Sequence, residues 1–141
     1  ILLTGGEPLM QRSTGKLVHR WLEGNKRVLI ETNGSLLVDR VAIDGVYLSV
    51  DVKTPSSGEC GKFLNKNIKL LRSSDCLKFV VADRKDFSWA KDFISNIQTD
   101  AALIFQPVWG RLSPKRLAQW IIESELPVRL GIQMHKMSKM Q

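Results

Sequence analysis

Thr4, Gly5, Gly6, Glu7 and Pro8 follow the apolar run Ile1-Leu2-Leu3 and make the kind of turn that can hold a ligand. Two glycines can take positive φ and let a ligand approach the main chain, Glu7 adds a carboxylate, and Pro8 suits the first turn of a following helix. Taken alone, the same residues describe an ordinary strand-to-helix loop in which Glu7 serves the positive end of the helix. They are not alone. Further apolar runs end in Glu31-Thr32-Asn33-Gly34-Ser35, in Asp51-Val52-Lys53-Thr54-Pro55-Ser56-Ser57-Gly58, in Ala82-Asp83, in Gln106-Pro107-Val108-Trp109-Gly110 and in Gln133-Met134-His135-Lys136. A structural domain needs turn residues there, but it does not need Glu31, Asp51, Lys53, Gln106 and His135 at the last strand position or just past it. Their convergence points to one site for a large polar ligand. Blander roles remain open: Asp51 and Lys53 share a strand face and can pair with each other. His135, flanked by Lys136 and Lys139, can be a surface residue, while Trp109 and Trp120 read as packing residues.

These residues need a frame that brings strand ends together. Apolar, β-branched runs at 1–4, 27–32, 46–52, 77–81, 103–106 and 128–132 predict strands. Helices are predicted between them at 9–23, 85–97 and 113–124, the last with Ser113-Pro114 as N-cap and first helical residue. The segment 53–74 is less regular and opens as a loop. Strands alternating with helices imply a parallel sheet, whose ligands sit at the carboxyl ends of the strands. No repeat or interdomain linker divides the 141 residues, so 1–141 reads as a single domain.

The chain carries 21 Lys plus Arg against 14 Asp plus Glu, a net +7 that favours anionic partners. Lys62, Lys66, Lys69 and Arg72 fall near helical spacing, but no aromatics interleave with them as a nucleic-acid platform requires, so a solvated face is expected. No apolar run approaches the ~18 residues of a membrane helix. Cys60 and Cys76 form neither a C-x-x-C pair nor a zinc pattern, which fits a reduced, cytoplasmic protein.

The Thr4-Gly5-Gly6-Glu7-Pro8 turn resembles the methionine-binding motif of radical S-adenosylmethionine enzymes, with Glu31-Thr32-Asn33-Gly34 as its companion. Within that superfamily the run 49–58, then Gln106-Pro107 and the terminal Gln133-Met134-His135-Lys136, is similar to the 7-carboxy-7-deazaguanine synthase family. The resemblance implies a partial (β/α) barrel and a pathway to queuosine or archaeosine. It implies S-adenosylmethionine contacts at Gly6, Glu7, Asp51, Val52, Lys53, Gln106 and Pro107, and pterin-substrate contacts at Thr4, Glu31, His135 and Gln141. Asp51-Val52 stand where the family has Ser-Pro, so Lys53 carries most of that segment's match.

The same resemblance implies a [4Fe-4S] cluster on three cysteines and a magnesium ion in the full-length protein. Neither Cys60 nor Cys76 has the spacing for the cluster, and the family places that loop before the GGE strand. An upstream segment carrying it is therefore expected, since the chain opens on Ile1 and directly into a strand. The full-length protein is expected to convert 6-carboxytetrahydropterin to 7-carboxy-7-deazaguanine as a homodimer, with no membrane or direct nucleic-acid partner, and this chain alone to be inactive. Two rivals are another radical enzyme, such as a glycyl-radical activase, and a non-catalytic basic domain that binds nucleic acid.

Overall fold

The computed structural model describes residues 1–133, so His135 and Gln141 lie outside the described residues. Among the described residues six strands form one sheet: β1 (Leu2–Leu3), β2 (Val28–Thr32), β3 (Val46–Val52), β4 (Cys76–Val81), β5 (Ala102–Pro107) and β6 (Arg129–Leu130). All neighbours pair in parallel and their spatial order is the sequence order, so β1 and β6 are the two edges of an open sheet. Three α-helices connect them, α1 (Thr14–Glu23), α2 (Arg84–Ser95) and α3 (Pro114–Glu123).

Alternation along the strands separates two faces. Val28, Ile30, Val46, Leu48, Val50, Leu77, Phe79, Val81 and Phe105 are buried against Val18 of α1, Phe87, Ala90 and Ile94 of α2, and Leu117 and Ile121 of α3. Edge-on aromatic contacts run through this layer from Phe93 to Phe79 at 5.6 Å, Phe79 to Phe105 at 5.4 Å, and Phe105 to Phe87 at 5.8 Å. Such pairs add about 0.5–1.5 kcal/mol each beyond the burial of area. The opposite face carries Glu31, Asp51, Lys78 and Gln106, all partly exposed.

Polar side chains brace the ends of the sheet. Where β3 and β4 begin, the fully buried Asp75 carboxylate accepts from Leu48 N at 2.9 Å and Arg72 N at 2.8 Å, and Arg72 Nη2 donates to Val46 O at 2.6 Å. Arg72 is thus an inward structural residue and not part of a solvated face. Asn67, also fully buried, donates to Gly34 O and Leu36 O and accepts from Val38 N.

The expected helix over 9–23 divides into a 3-10 turn, Pro8–Met10, and then α1. Thr14 Oγ1 donates to Pro8 O at 2.6 Å, which closes the short turn before α1 starts. The irregular stretch 53–74 contains two 3-10 segments, Pro55–Ser57 and Asn65–Leu70. Ser113 caps α3 as expected, its hydroxyl accepting from Arg116 N at 3.2 Å.

Candidate functional site

The carboxyl ends of the strands bring the sequence-derived residues into one region. After β1, Gly5 and Gly6 take φ of +96° and +58°, and a Cβ built on either meets nothing within 4 Å. Space therefore lies open beside this main chain. Gly34, at φ +67°, is the contrast, because a Cβ there would lie 2.6 Å from the Phe63 ring. Its lack of a side chain serves packing.

Glu7 ties the first two strand ends together. Its carboxylate accepts from Leu9 N at 3.1 Å, from Thr32 Oγ1 at 2.8 Å and from Asn33 N at 2.7 Å. The acid thus caps the Pro8–Met10 turn and fixes the Thr32-Asn33-Gly34 loop, so the Gly5-Gly6 main chain is held rigidly beside the open space. Both the capping role and the loop-fixing role are filled by protein donors.

Across the inner face a row of side chains spans four strands. Thr4 Oγ1 donates to Glu31 Oε2 at 2.9 Å, and Lys78 Nζ lies 3.8 Å from Glu31 Oε1 and 3.0 Å from Asp51 Oδ1. Lys53 Nζ then donates to Asp51 Oδ2 at 3.3 Å, so Asp51 and Lys53 do pair. Burial pulls the Lys78 pKa down, but Asp51 and then Glu31 outweigh it and hold the ammonium above its ordinary 10.5. Reading strand ends alone misses Lys78. Its signal is a lysine inside Leu77-Lys78-Phe79-Val80-Val81, in phase with Asp51 and out of phase with the core residues.

Lys53 leads into a loop built to hold still. Thr54 Oγ1 donates to Val80 O at 2.8 Å, and Ser57 Oγ donates to Thr54 O at 2.6 Å. Ser56 donates twice, from N to Asp86 Oδ1 at 2.9 Å and from Oγ to Asp83 Oδ2 at 3.2 Å. Asp86 is fully buried and also accepts from Ala82 N at 2.9 Å, while Asp83 caps α2 by accepting from Asp86 N at 3.0 Å. That main-chain donor, and then Ser56, hold the Asp83 carboxyl below its ordinary 3.8. The Thr-Pro-Ser-Ser-Gly run is thus a clamp onto the start of α2; of the two aspartates that grip it, Asp83 belongs to the Ala82-Asp83 strand end read from sequence, and Asp86 was not singled out.

Gln106 stands on the inner face at the end of β5, beside Gly131. Next to it a cavity of about 420 Å³ is lined by Pro107, Trp109, Arg111, Pro114, Ile132 and Gln133, and Gln133 Oε1 is buried with no hydrogen bond among the described residues. Trp109 is half exposed at this cavity, which corrects its reading as a packing residue, whereas Trp120 does pack, 5.5 Å from Phe87. Val52 is buried on the helix-facing side, so only its main chain reaches the inner face. Period two puts it opposite Asp51 and Lys53.

Cys60 is exposed and Cys76 lies in β4. Among the described residues no three His, Cys, Asp or Glu side chains group so as to hold a metal ion, and no helix is long and apolar enough to cross a membrane.

No family model matches the chain. It is 40% identical over 139 residues to the 7-carboxy-7-deazaguanine synthase of Chlorobaculum tepidum, covering 95% of this chain and 63% of that protein. The synthase of Thermoplasma acidophilum is 37% identical over 137 residues, covering 96% of this chain and 65% of that protein. In fold the chain matches QueE from Escherichia coli with a TM-score of 0.70 at 20% identity, over 94% of this chain and 55% of that one. It also matches Streptococcus suis SuiB bound to S-adenosylmethionine with a TM-score of 0.61 at 14% identity, over 94% of this chain and 37% of that one. Over about 95% of its own length the chain is similar to 7-carboxy-7-deazaguanine synthases, and it spans 63–66% of the length of three of these curated relatives.

Proposed function

We propose that this chain forms the S-adenosylmethionine-facing and substrate-facing wall of a radical enzyme that converts 6-carboxytetrahydropterin to 7-carboxy-7-deazaguanine. The observation that carries the reading is the Gly5-Gly6 turn, whose main chain borders open space on the same sheet face as Lys53, Glu31 and Gln106. The donor set suits adenosylmethionine. Main-chain acceptors at Gly6 receive its ammonium, Lys53 meets its carboxylate or ribose, and Gln106 with the main chain of Pro107 borders the adenosine. Thr4 and Glu31 face the pterin, while Glu7 acts through the loops it ties together.

The chain's two cysteines cannot supply the three thiolates that a [4Fe-4S] cluster of this superfamily needs. When bound, that cluster supplies the electron that cleaves adenosylmethionine. The residues present orient the two ligands and exclude water between them. The cluster and a magnesium site belong in our reading to a longer polypeptide, of which this chain alone is inactive. A pathway to modified tRNA bases, a cytoplasmic setting and a homodimer complete the proposal.

The test is the full gene product, purified without oxygen and supplied with reductant, adenosylmethionine and 6-carboxytetrahydropterin. Mass spectrometry should show 5′-deoxyadenosine and 7-carboxy-7-deazaguanine together. Iron-sulfur absorbance and 5′-deoxyadenosine without the deazaguanine product would favour a different radical enzyme.

A further inference from the structure

Lys78 stands in the middle of β4 between Leu77 and Phe79, both fully buried on the helix side, and its own side chain is 17% exposed on the inner face. Each carboxylate beside it is held from the far side as well, Glu31 by the Thr4 hydroxyl and Asp51 by Lys53. Hydroxyl, carboxylate, ammonium, carboxylate and ammonium thus alternate across the face, with Lys78 at the centre. Asp51 Oδ1, although 3.0 Å from Lys78 Nζ, makes no well-directed hydrogen bond and keeps acceptor capacity.

Stability alone gives little reason for this row. A buried ion pair can often be replaced by apolar residues of similar volume without loss. The Arg72–Asp75 cluster at the other end of the sheet serves main-chain groups of β3, at Leu48 N and Val46 O. Among the described residues, the side-chain hydrogen bonds of Glu31, Asp51 and Lys53 go to other side chains and not to the main chain.

We propose that Lys78 is a positioning residue shared by the two halves of the site, holding Lys53 for one ligand through Asp51 and Thr4 for the other through Glu31. The proposal rests on the adenosylmethionine reading above and deepens it. The charged and titratable groups facing Lys78 are Glu31 on β2, Asp51 on β3 with Lys53 just past its end, and Cys76 on β4 itself, while its register partner on β5 is the apolar Ile104. Without the central ammonium, the two carboxylates lose the cation they share, and Lys53 is left as the neighbour of Asp51 alone.

The test is a titration of the ¹⁵N-labelled chain with S-adenosylmethionine into the millimolar range, followed by amide shifts, for the unaltered chain, Lys78→Met, Lys78→Arg and Arg72→Met. Lys78→Met should weaken binding about tenfold or more. Lys78→Arg, which keeps the charge, should recover much of the affinity. Arg72→Met should lose stability with affinity unchanged, which separates ligand positioning from structural damage. Binding by Lys78→Met equal to that of the unaltered chain overturns the proposal alone. Failure of the unaltered chain to bind overturns the adenosylmethionine reading and this proposal with it.

Discussion

Asp86 offers the sharpest test of how the site is held, because a fully buried carboxylate there accepts from two main-chain donors, Ser56 N and Ala82 N, each at 2.9 Å. Asp86→Ala leaves Ala82 N buried without that acceptor, whereas Ser56 N, on an exposed residue, can turn to water. A buried unsatisfied donor costs about 1–3 kcal/mol. Removing the carboxylate also removes the cost of keeping it out of water, which favours the lower part of that range, about 1–2 kcal/mol. Asp86→Asn retains one acceptor and turns an amide N–H toward the other donor, so it should cost about half as much. Urea unfolding at pH 7, followed by tryptophan fluorescence and far-UV circular dichroism, measures both. Hydrogen exchange should quicken at Ser56 and Ala82 before it quickens in β4. A loss below about 1 kcal/mol for Asp86→Ala, or equal losses for the two variants, would refute the view that this carboxylate clamps the Lys53 loop.

Further outcomes are expected for the glycines, for the aromatic layer and for pH. Gly34→Ala should destabilise the fold by about 2 kcal/mol or more in thermal melts, since a Cβ there lies 2.6 Å from Phe63 and the backbone is left-handed. Gly5→Ala, with open space around it, should lose only the backbone term of about 1 kcal/mol. Phe79→Ala should cost about 3–5 kcal/mol in urea unfolding, because the ring is fully buried and touches both Phe93 and Phe105. Stability should also follow pH at both ends. Asp83 is held below 3.8 in the folded state, so its contribution is present above that value and fades as pH falls through the lowered folded value. Lys78 is held above 10.5, so its contribution is complete below that value and fades as pH rises through the raised one. Lys78→Met should flatten the alkaline limb of a pH series of melts and leave the acid limb in place.

The parallel sheet was legible because its strands are compact apolar runs and helices such as α3 carry their own caps, as at Ser113 and Pro114. The gathering of Thr4, Glu31, Asp51, Lys53 and Gln106 followed from the rule that ligands meet the carboxyl ends of parallel strands. Three features were hidden for physical reasons. Lys78 looks like an interruption of an apolar strand until the register with Asp51 places both on one face. Asp83 and Asp86 look like ordinary helix-start acids, and only the return of Ser56 across 30 residues of chain shows what they grip. The break between Pro8–Met10 and α1 depends on the Thr14 hydroxyl reaching Pro8 O, a contact that apolar periodicity does not encode.

The central claim is that the inner face at the strand ends binds S-adenosylmethionine, and chemical-shift mapping on the chain itself tests it most directly. Titration should move the amides of Gly5, Gly6, Lys53 and Gln106 together with a single dissociation constant, while those of Arg72, Asp75 and α1 stay in place. Shifts confined to the far end of the sheet, or none at millimolar ligand, would contradict it.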